Sequence, residues 1–431
     1  MTYDETVDYL FNCAPPFQQV GGAGYKEGLA GSIALDNHLG NPHRRYRTIH
    51  VAGTNGKGST SHTLAAILQA AGYKVGLYTS PHLIDFRERI RVNGVPASKQ
   101  FVIDFVEREK AFFEPLSPSF FELTTAMAFT YFAQEEVDVA IIEVGLGGRL
   151  DCTNIITPDL CVITNISPDH TQFLGTTLTQ IAGEKAGIIK PGIPVIIGEA
   201  TEETRKVFTN KAQKEGAPIT FAEDNSQILQ AIHTDQGIEY TTRKHERYTG
   251  ELRGSYQIKN TNTILAAVEQ LVKKDYKINT DNIRTGLAEV CSLTGFMGRW
   301  QTISKSPRTI CDAGHNIGGI KYITEQLARE HYTTLRIVFG MVGDKDINTV
   351  LSMMPHNAIY YFTQASIKRA MPADELRELA KSHNLLGSSH PTVSAALATA
   401  TADASPGDLI FVGGSCFVVA DLLTATNKSN L

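Results

Sequence analysis

TIHVAGTNGKGSTSHTLAAILQAAG, running from Thr48 to Gly72, is the stretch whose reading decides the fold. Ile49, Val51 and Ala52 form an apolar strand that stops at a glycine-rich turn with one lysine, Lys57, and a helix rich in alanine and leucine leaves from Ser59. Strand, turn and helix start together cradle phosphate. Gly53, Gly56 and Gly58 let backbone N–H groups approach anionic oxygens, the helix N-terminus adds positive potential, and Lys57 supplies a mobile cation. The Ser59 hydroxyl stands where such loops offer a ligand to Mg²⁺. The loop is a variant, because Val51 replaces the expected first glycine and Gly58 separates Lys57 from Ser59. A solvated turn with an ordinary lysine is the competing reading, and the flanking strand and helix weigh against it.

Working outward, the pattern alternates strand and helix. KVGLYTS (74–80), VDVAIIEVG (137–145), LCVITNI (160–166) and PVIIG (194–198) read as strands, and 101–116 and 119–136 read as helices. Near-continuous Val/Ile runs separated by helices indicate a parallel sheet covered on both faces. Ligands of such sheets gather at the carboxyl ends of the strands. That rule selects Ser80 with Pro81 and His82, Glu143 running into GLGGRLDCTN, and Asp169 with His170. A hydroxyl, a carboxylate and an imidazole beside a triphosphate suit a hard cation that keeps part of its water shell. Glu143 lies within an apolar strand, where an unpaired charge would be very costly.

A chain of 431 residues is too long for one ordinary core, and 42% hydrophobic with 20% charged residues is a globular composition. The net charge of -5 argues against a nucleic-acid surface. MTYDETVDYL has no signal-peptide pattern and no run reaches membrane-span length, so a cytoplasmic protein without membrane partners is expected. Cys13, Cys152, Cys161, Cys291, Cys311 and Cys416 show no CxxC spacing, which fits reduced thiols. Before the phosphate loop, 4–11 reads as a short helix and PPFQQVGGAGYKEGL as a loop that serves as a lid or as a surface connection. TTRKHERYTGELRG reads as a hairpin on the sheet's edge, and 255–274 as a helix presenting Gln257 and Asn260 in its first turn. Near residue 295 a second strand–helix series begins, with Asp312 and His315 just after a strand. The expected architecture is α/β: a P-loop parallel-sheet ATPase domain over 1–295, then a smaller Rossmann-like domain over 296–431.

HVAGTNGKGS (50–59), YTSPHL (78–83), IIEVGLGGRLDCTN (141–154), ITNISPDH (163–170), GEKAGIIKPG (183–192), the Gln257/Asn260 pair, GRW (298–300), CDAGHN (311–316) and GGSCFVVAD (413–421) follow one another along nearly the whole chain. With these motifs the sequence resembles the folylpolyglutamate synthase and dihydrofolate synthase family, a branch of the Mur ligases. The resemblance implies an ATP-dependent amide ligase. A pteroate or folate carboxylate takes the γ-phosphoryl of ATP, and the amine of L-glutamate displaces phosphate from the acyl phosphate. It implies ATP contacts at Asn55, Gly56, Lys57, Gly58, Ser59, Asn260, Arg299 and Asp312. It implies Mg²⁺, in two sites, held by Ser59, Ser80, Glu143, His170 and a carbamylated Lys185, with a monovalent cation as a candidate addition. Lys57, His170, Lys185 and His315 become the catalytic set, His315 serving the glutamate and acyl-phosphate region. Ser119, Phe121, Leu150, Asp151 and Cys152 match the pterin-side wall. Carbamylation requires a neutral amine, which burial near other cations supplies by lowering a lysine pKa.

Two motifs depart from the family pattern. Asp312-Ala313-Gly314-His315-Asn316-Ile317 replaces the usual Asp-Gly-Ala-His-Asn-Pro, and Met297 and Gln301 flank the GRW arginine where proline and a carboxylate are common. The resemblance leans towards a bifunctional monomer acting on dihydropteroate and reduced folates. A cell-wall Mur ligase would need a uridine-nucleotide domain ahead of Thr48, and the 47 preceding residues are too few to build one. A nucleotide-hydrolysing switch would not need the second α/β domain.

Overall fold

The computed structural model describes residues 1–14, 28–343 and 346–429. Most of the glycine-rich loop before the phosphate loop lies outside the described residues. Contacts divide the chain into two compact units, Met1–Glu251 with Tyr256–Phe296, and Leu252–Ser255 with Met297–Leu431. No helix among the described residues is long and apolar enough to cross a membrane.

The first unit is built on a sheet of β1 (Arg47–Ala52), β2 (Val75–Tyr78), β3 (Ile90–Val92), β4 (Val95–Pro96), β5 (Val139–Glu143), β6 (Leu160–Ile163), β7 (Val195–Ile197) and β8 (Ile219–Phe221). Their order is β4-β3-β2-β5-β1-β6-β7-β8. β2, β5, β1, β6, β7 and β8 run parallel, and β3 and β4 turn back as an antiparallel edge. The strands read as unbroken apolar runs because both faces are covered. Ile49, Val51, Ile141 and Val162 pack with Leu64, Leu68, Ile264 and Val268 on one face. Ala140 and Ile142 meet Leu123, Phe129 and Phe132 on the other, where Ile163 and Ile197 meet Ala182 and Phe208 further along.

Three local readings change. The helix after the glycine turn begins at Lys57, two residues before Ser59, because Gly56 already stands as its N-cap at φ 84°. Residues 242–250 do form part of a hairpin, between β10 (Gly237–Thr242) and β11 (Arg247–Gly250), but not on the main sheet's edge. With β9 (Ile228–Thr234) they make a separate three-stranded antiparallel sheet. Its alternation buries Ile238, Tyr240 and Tyr248 against Leu265 and Leu287, so the hairpin caps helices Gln257–Lys273 and Thr280–Ala288. The short helix read over 4–11 extends from Tyr3 to Cys13, because Thr2 and Glu5 close a capping box at its start.

The second unit has a six-stranded sheet of β12 (Gln301–Lys305), β13 (Arg308–Asp312), β14 (Leu335–Phe339), β15 (Ala358–Phe362), β16 (Gly387–Ser389) and β17 (Leu409–Gly413). The order is β12-β13-β17-β14-β15-β16, parallel except for β12. Ile310, Ile337, Phe339, Tyr360 and Phe411 carry its core with Ile320, Ile323 and Leu376 from the helices.

Helix Thr280–Ala288 crosses helix Lys57–Ala70 so closely that a Cβ on Gly286 would lie 2.5 Å from the Cα of Ile67. Gly286→Val should therefore force the helices apart and destabilise the first unit by about 1–3 kcal/mol. Thermal denaturation checks this, and an unchanged midpoint would show that the crossing has slack.

Candidate active site

Because β2, β5, β1 and β6 are adjacent and parallel, their carboxyl ends share one edge of the sheet. Ser80 follows β2, Glu143 ends β5, the glycine turn follows β1, and the segment 164–170 follows β6. The turn is shaped by Gly53 at φ 144° and Gly56 at φ 84°, conformations that a side chain would strain. Thr164 Oγ1 occupies the place a Cβ on Gly53 would need. The turn is tied to the β6 segment: Thr54 N donates to Asn165 O (2.9 Å), Asn55 N to Asn165 Oδ1 (2.9 Å) and Asn55 Nδ2 to Ser167 Oγ (3.2 Å). No side chain caps the helix that starts at Lys57, so its first N–H groups face the turn.

Two lysines converge there. Lys57 Nζ donates to the carbonyls of Gly53 (3.1 Å) and Thr54 (3.2 Å), and Lys185 Nζ donates to the same Gly53 carbonyl (2.9 Å). Lys185 is only 4% exposed, on the helix Leu178–Ala186. Burial, with the Lys57 charge adding to it, lowers its pKa to about 7, while Asp169 and Asp151 pull the other way. Gln257 Nε2 donates to Ser59 Oγ (3.1 Å) and Asn260 Nδ2 to Gln257 Oε1 (2.8 Å), with Asn260 Oδ1 against Gly56. Asn55, Gly56, Lys57, Gly58, Ser59, Asn260 and Lys185 therefore meet around one turn.

Glu143 is 3% exposed, and its Oε2 lies 3.9 Å from where a Cβ on Gly58 would stand. Ser80 precedes Pro81 at the end of β2, and His170 heads the short helix Thr171–Leu174 with Asp169 Oδ1 3.9 Å from its Nε2. Among the described residues no three His, Cys, Asp or Glu side chains form a ready cage. The expected donor set of hydroxyl, carboxylate and imidazole has only two such residues. With water completing the shell, a hydroxyl, a carboxylate and an imidazole have the chemistry that suits a hard divalent cation. His82 accepts from Arg89 Nε at Nδ1 (2.8 Å), and burial and Arg89 lower its pKa to about 3, so it is neutral.

Two of the expected pterin-wall residues, Phe121 and Asp151, meet the backbone two residues beyond Glu143. The Phe121 ring lies against Gly145, and Asp151 Oδ2 accepts N–H bonds from Gly145 (3.0 Å) and Leu146 (2.8 Å). Asp151 is thus engaged in folding this loop. Ser119 caps the helix Phe120–Gln134 in a capping box with Glu122. Leu150 and Cys152 flank Asp151, and burial with the neighbouring Asp151 charge raises the Cys152 thiol pKa.

In the second unit, Asp312 is 2% exposed at the end of β13. It accepts from Trp300 N (2.9 Å) and Gly314 N (2.8 Å), so it fixes the chain next to Arg299 and closes the turn despite the altered motif. Trp300 sits at φ 43° with its ring against Phe411. His315 Nδ1 pairs with the Ala313 carbonyl (3.0 Å), which directs Nε2 away from the backbone.

The Mur ligase middle domain matches residues 51–268 and the Mur ligase glutamate ligase domain matches 298–416. The dihydrofolate synthase/folylpolyglutamate synthase of Bacillus subtilis (strain 168) is 33% identical over 413 residues, covering 93% of this chain and 95% of its own. The chain belongs to this family of Mur ligases. Escherichia coli FolC in complex with DHPP and ADP superposes with a TM-score of 0.86 at 32% identity, over 100% of this chain and 99% of FolC. A bifunctional folylpolyglutamate synthase/dihydrofolate synthase with Mn, AMPPNP and L-glutamate bound gives a TM-score of 0.82 at 30% identity, over 99% and 98%.

For this folylpolyglutamate synthase relative, sequence reading had not selected Thr164, Asn165 and Ser167, which hold the turn, or Gln257 as the partner of Ser59. The TNIS run just after a strand was the available signal. His50, buried within β1, was likewise unassigned.

Lys185 carries a pH signature. Unfolded, its pKa returns to 10.5, so between about 7 and 10.5 the unfolded chain binds more protons and stability rises with pH. Urea denaturation in CO₂-depleted buffer should show wild type gaining on Lys185→Met across that window. Parallel curves would mean that the folded amine is not depressed.

Proposed function

We propose that the chain is an ATP-dependent carboxylate–amine ligase that joins L-glutamate to a dihydropteroate or folate carboxylate, acting in the cytoplasm. One observation carries the reading: the end of β5 serves two neighbours at once. Glu143 borders the phosphate loop at Gly58, and Gly145 borders Phe121 and Asp151. A ligase of this kind must hold an acceptor carboxylate beside a γ-phosphate, and positioning is the larger part of such catalysis. The full-length likeness to enzymes that bind ADP, AMPPNP, DHPP and L-glutamate supports it.

In this reading Lys57 and the N–H groups of Gly56, Gly58 and Ser59 hold the ATP phosphates, with Asn55, Asn260, Arg299 and Asp312 as further nucleotide contacts. An acceptor carboxylate oxygen bonds to the γ-phosphorus as the bond to ADP breaks. The glutamate amine then attacks the acyl carbon, loses a proton and expels phosphate, with His315 serving that region. Ser59, Ser80, Glu143 and His170 would hold Mg²⁺, which supplies charge neutralisation on the phosphates. Lys185, carbamylated on its depressed amine, would offer anionic oxygens to a second Mg²⁺, and a monovalent cation remains a candidate addition. Ser119, Phe121, Leu150, Asp151 and Cys152 form the pteridine wall.

The test is ligation by purified monomer with ATP, Mg²⁺ and labelled glutamate, offered dihydropteroate or reduced folates separately, with product mass as readout. Glutamylated product is expected from both acceptor classes, and Lys57→Ala should lower turnover about a hundredfold or more. ADP release that needs neither acceptor nor glutamate would overturn the reading.

His170→Ala should raise the Mg²⁺ concentration for half-maximal rate by roughly tenfold or more. An unaltered metal dependence would remove His170 from the donor set.

A further inference from the structure

His50 sits in the middle of β1, opposite Ile142 on β5 and Cys161 on β6, and is wholly buried. Its neighbours Ile49 and Val51 show what packing alone would place there, and burying an imidazole is costly unless it is hydrogen-bonded. The ring makes one such bond. Nε2 lies 2.8 Å from Thr153 Oγ1. The Thr153 hydroxyl in turn donates to Asp151 Oδ1, and Thr153 N donates to the same oxygen at 3.0 Å.

The direction of each proton follows. Burial raises the Asp151 pKa, while the N–H groups of Gly145, Leu146 and Thr153 all donate to it and favour the carboxylate, which is an acceptor only. The hydroxyl proton is therefore committed to Asp151, and Thr153 oxygen accepts from His50. His50 is the neutral tautomer protonated on Nε2, and its buried Nδ1 has no hydrogen-bond partner in the structure. Burial, with Lys190 adding to it, lowers the ring's pKa to about 3, in keeping with a neutral ring.

The chain His50–Thr153–Asp151–Gly145/Leu146 links the strand that ends in the phosphate loop to the loop that follows Glu143. The same loop is docked on the helix of Lys185, since Arg149 N donates to Glu184 O (2.8 Å) and Asn154 Nδ2 to Gly187 O (3.1 Å). Without the imidazole N–H, the Thr153 hydroxyl loses the donor that fixes its rotor, and the Asp151 carboxylate, whose Oδ2 holds the Gly145 and Leu146 N–H groups, loses one restraint on Oδ1.

We infer that His50 is a positioning residue, an N–H donor that sets the Gly145–Cys152 loop in the shape that receives the pteridine acceptor. The inference rests on the ligase reading for the identity of that acceptor. His50 touches neither substrate, so its effect belongs in acceptor binding rather than in phosphoryl transfer.

The test compares His50→Leu, His50→Gln and Thr153→Val in the full chain, with KM for acceptor, KM for ATP, kcat and melting temperature measured together. His50→Leu removes the bond to the Thr153 hydroxyl and Thr153→Val the bond from that hydroxyl to Asp151, and the loss of one buried hydrogen bond predicts that each raises the acceptor KM roughly tenfold. The ATP KM should stay within about twofold of wild type, and the double variant should be no worse than either single one. Gln places an N–H where Nε2 stood, so His50→Gln should restore most of the acceptor KM. A ring ¹⁵N spectrum of wild type should show neutral Nε2–H histidines that do not titrate across the working pH range, His82 among them, and His50→Gln should remove one of these signals. Equal rises in both KM values, a fall in kcat alone, or no rescue by Gln at matched stability would overturn the inference. If His50→Leu does not fold, a Thr153→Val protein with unchanged acceptor KM overturns it as well. A wild type that ligates no pteridine would instead sink the ligase reading, while the ring spectrum would still report on the tautomer.

Discussion

Two ammonium groups directed at one peptide carbonyl is the constraint around which the first unit is arranged. Lys57 and Lys185 both donate to Gly53 O, and the Lys185 amine is buried enough to lose about half its protons near neutral pH. Cations concentrated at a strand end, beside uncapped helix N–H groups, form a field that a polyanion relieves. The field depends on β1 lying centrally, so that β5 and β6 bring Glu143 and the 164–170 segment to either side of it. It depends too on Thr164 filling the space beside Gly53, since the turn could not otherwise keep its carbonyl aimed at both lysines.

Much of this was legible in the sequence, for physical reasons. Central parallel strands must be apolar on both faces, so β1, β5 and β6 stand out as unbroken runs, and their ends can be named. Glu143 was legible as a buried strand-end carboxylate, because an unpaired charge inside IIEVG would be very costly. The edge elements were not. β3 and β4 are short, β12 buries none of its residues and β9 exposes Leu229 and Ile232, so no long apolar run marks them. The 237–250 hairpin was visible by its alternation, but its partner was not, because Tyr240 and Tyr248 pack on residues such as Leu265 and Leu287 that are distant in sequence.

The site divides in the same way. Positions contiguous with a motif, such as Gly56 to Ser59 at the strand-to-helix turn or Asp312 with His315 at a strand end, could be placed in advance. Contacts across the sheet could not. That Asp312 secures the N–H of Trp300, or that Gln257 reaches Ser59, depends on which elements the fold brings together. Asp151 shows the limit most clearly. Its place in GLGGRLD matches the family's wall, yet the four hydrogen bonds its carboxylate accepts all fold the loop that carries it.

The loop after β5 is where general and particular chemistry separate. The GTNGK turn is common to Mur ligases, which all handle a nucleotide triphosphate, whereas GLGGRLD typifies the folate branch. A loop free to vary in order to suit different acceptors would ordinarily be mobile, and mobility two residues from Glu143 would disturb that carboxylate as well. The structure avoids this by anchoring the loop at several points: Asp151 gathers the Gly145 and Leu146 N–H groups, Asn154 reaches the backbone of Arg149 and Gly187, and Thr153 meets the buried ring of His50. Side chains such as Leu150, Cys152 and Phe121 can then differ while the backbone beside Glu143 keeps its place.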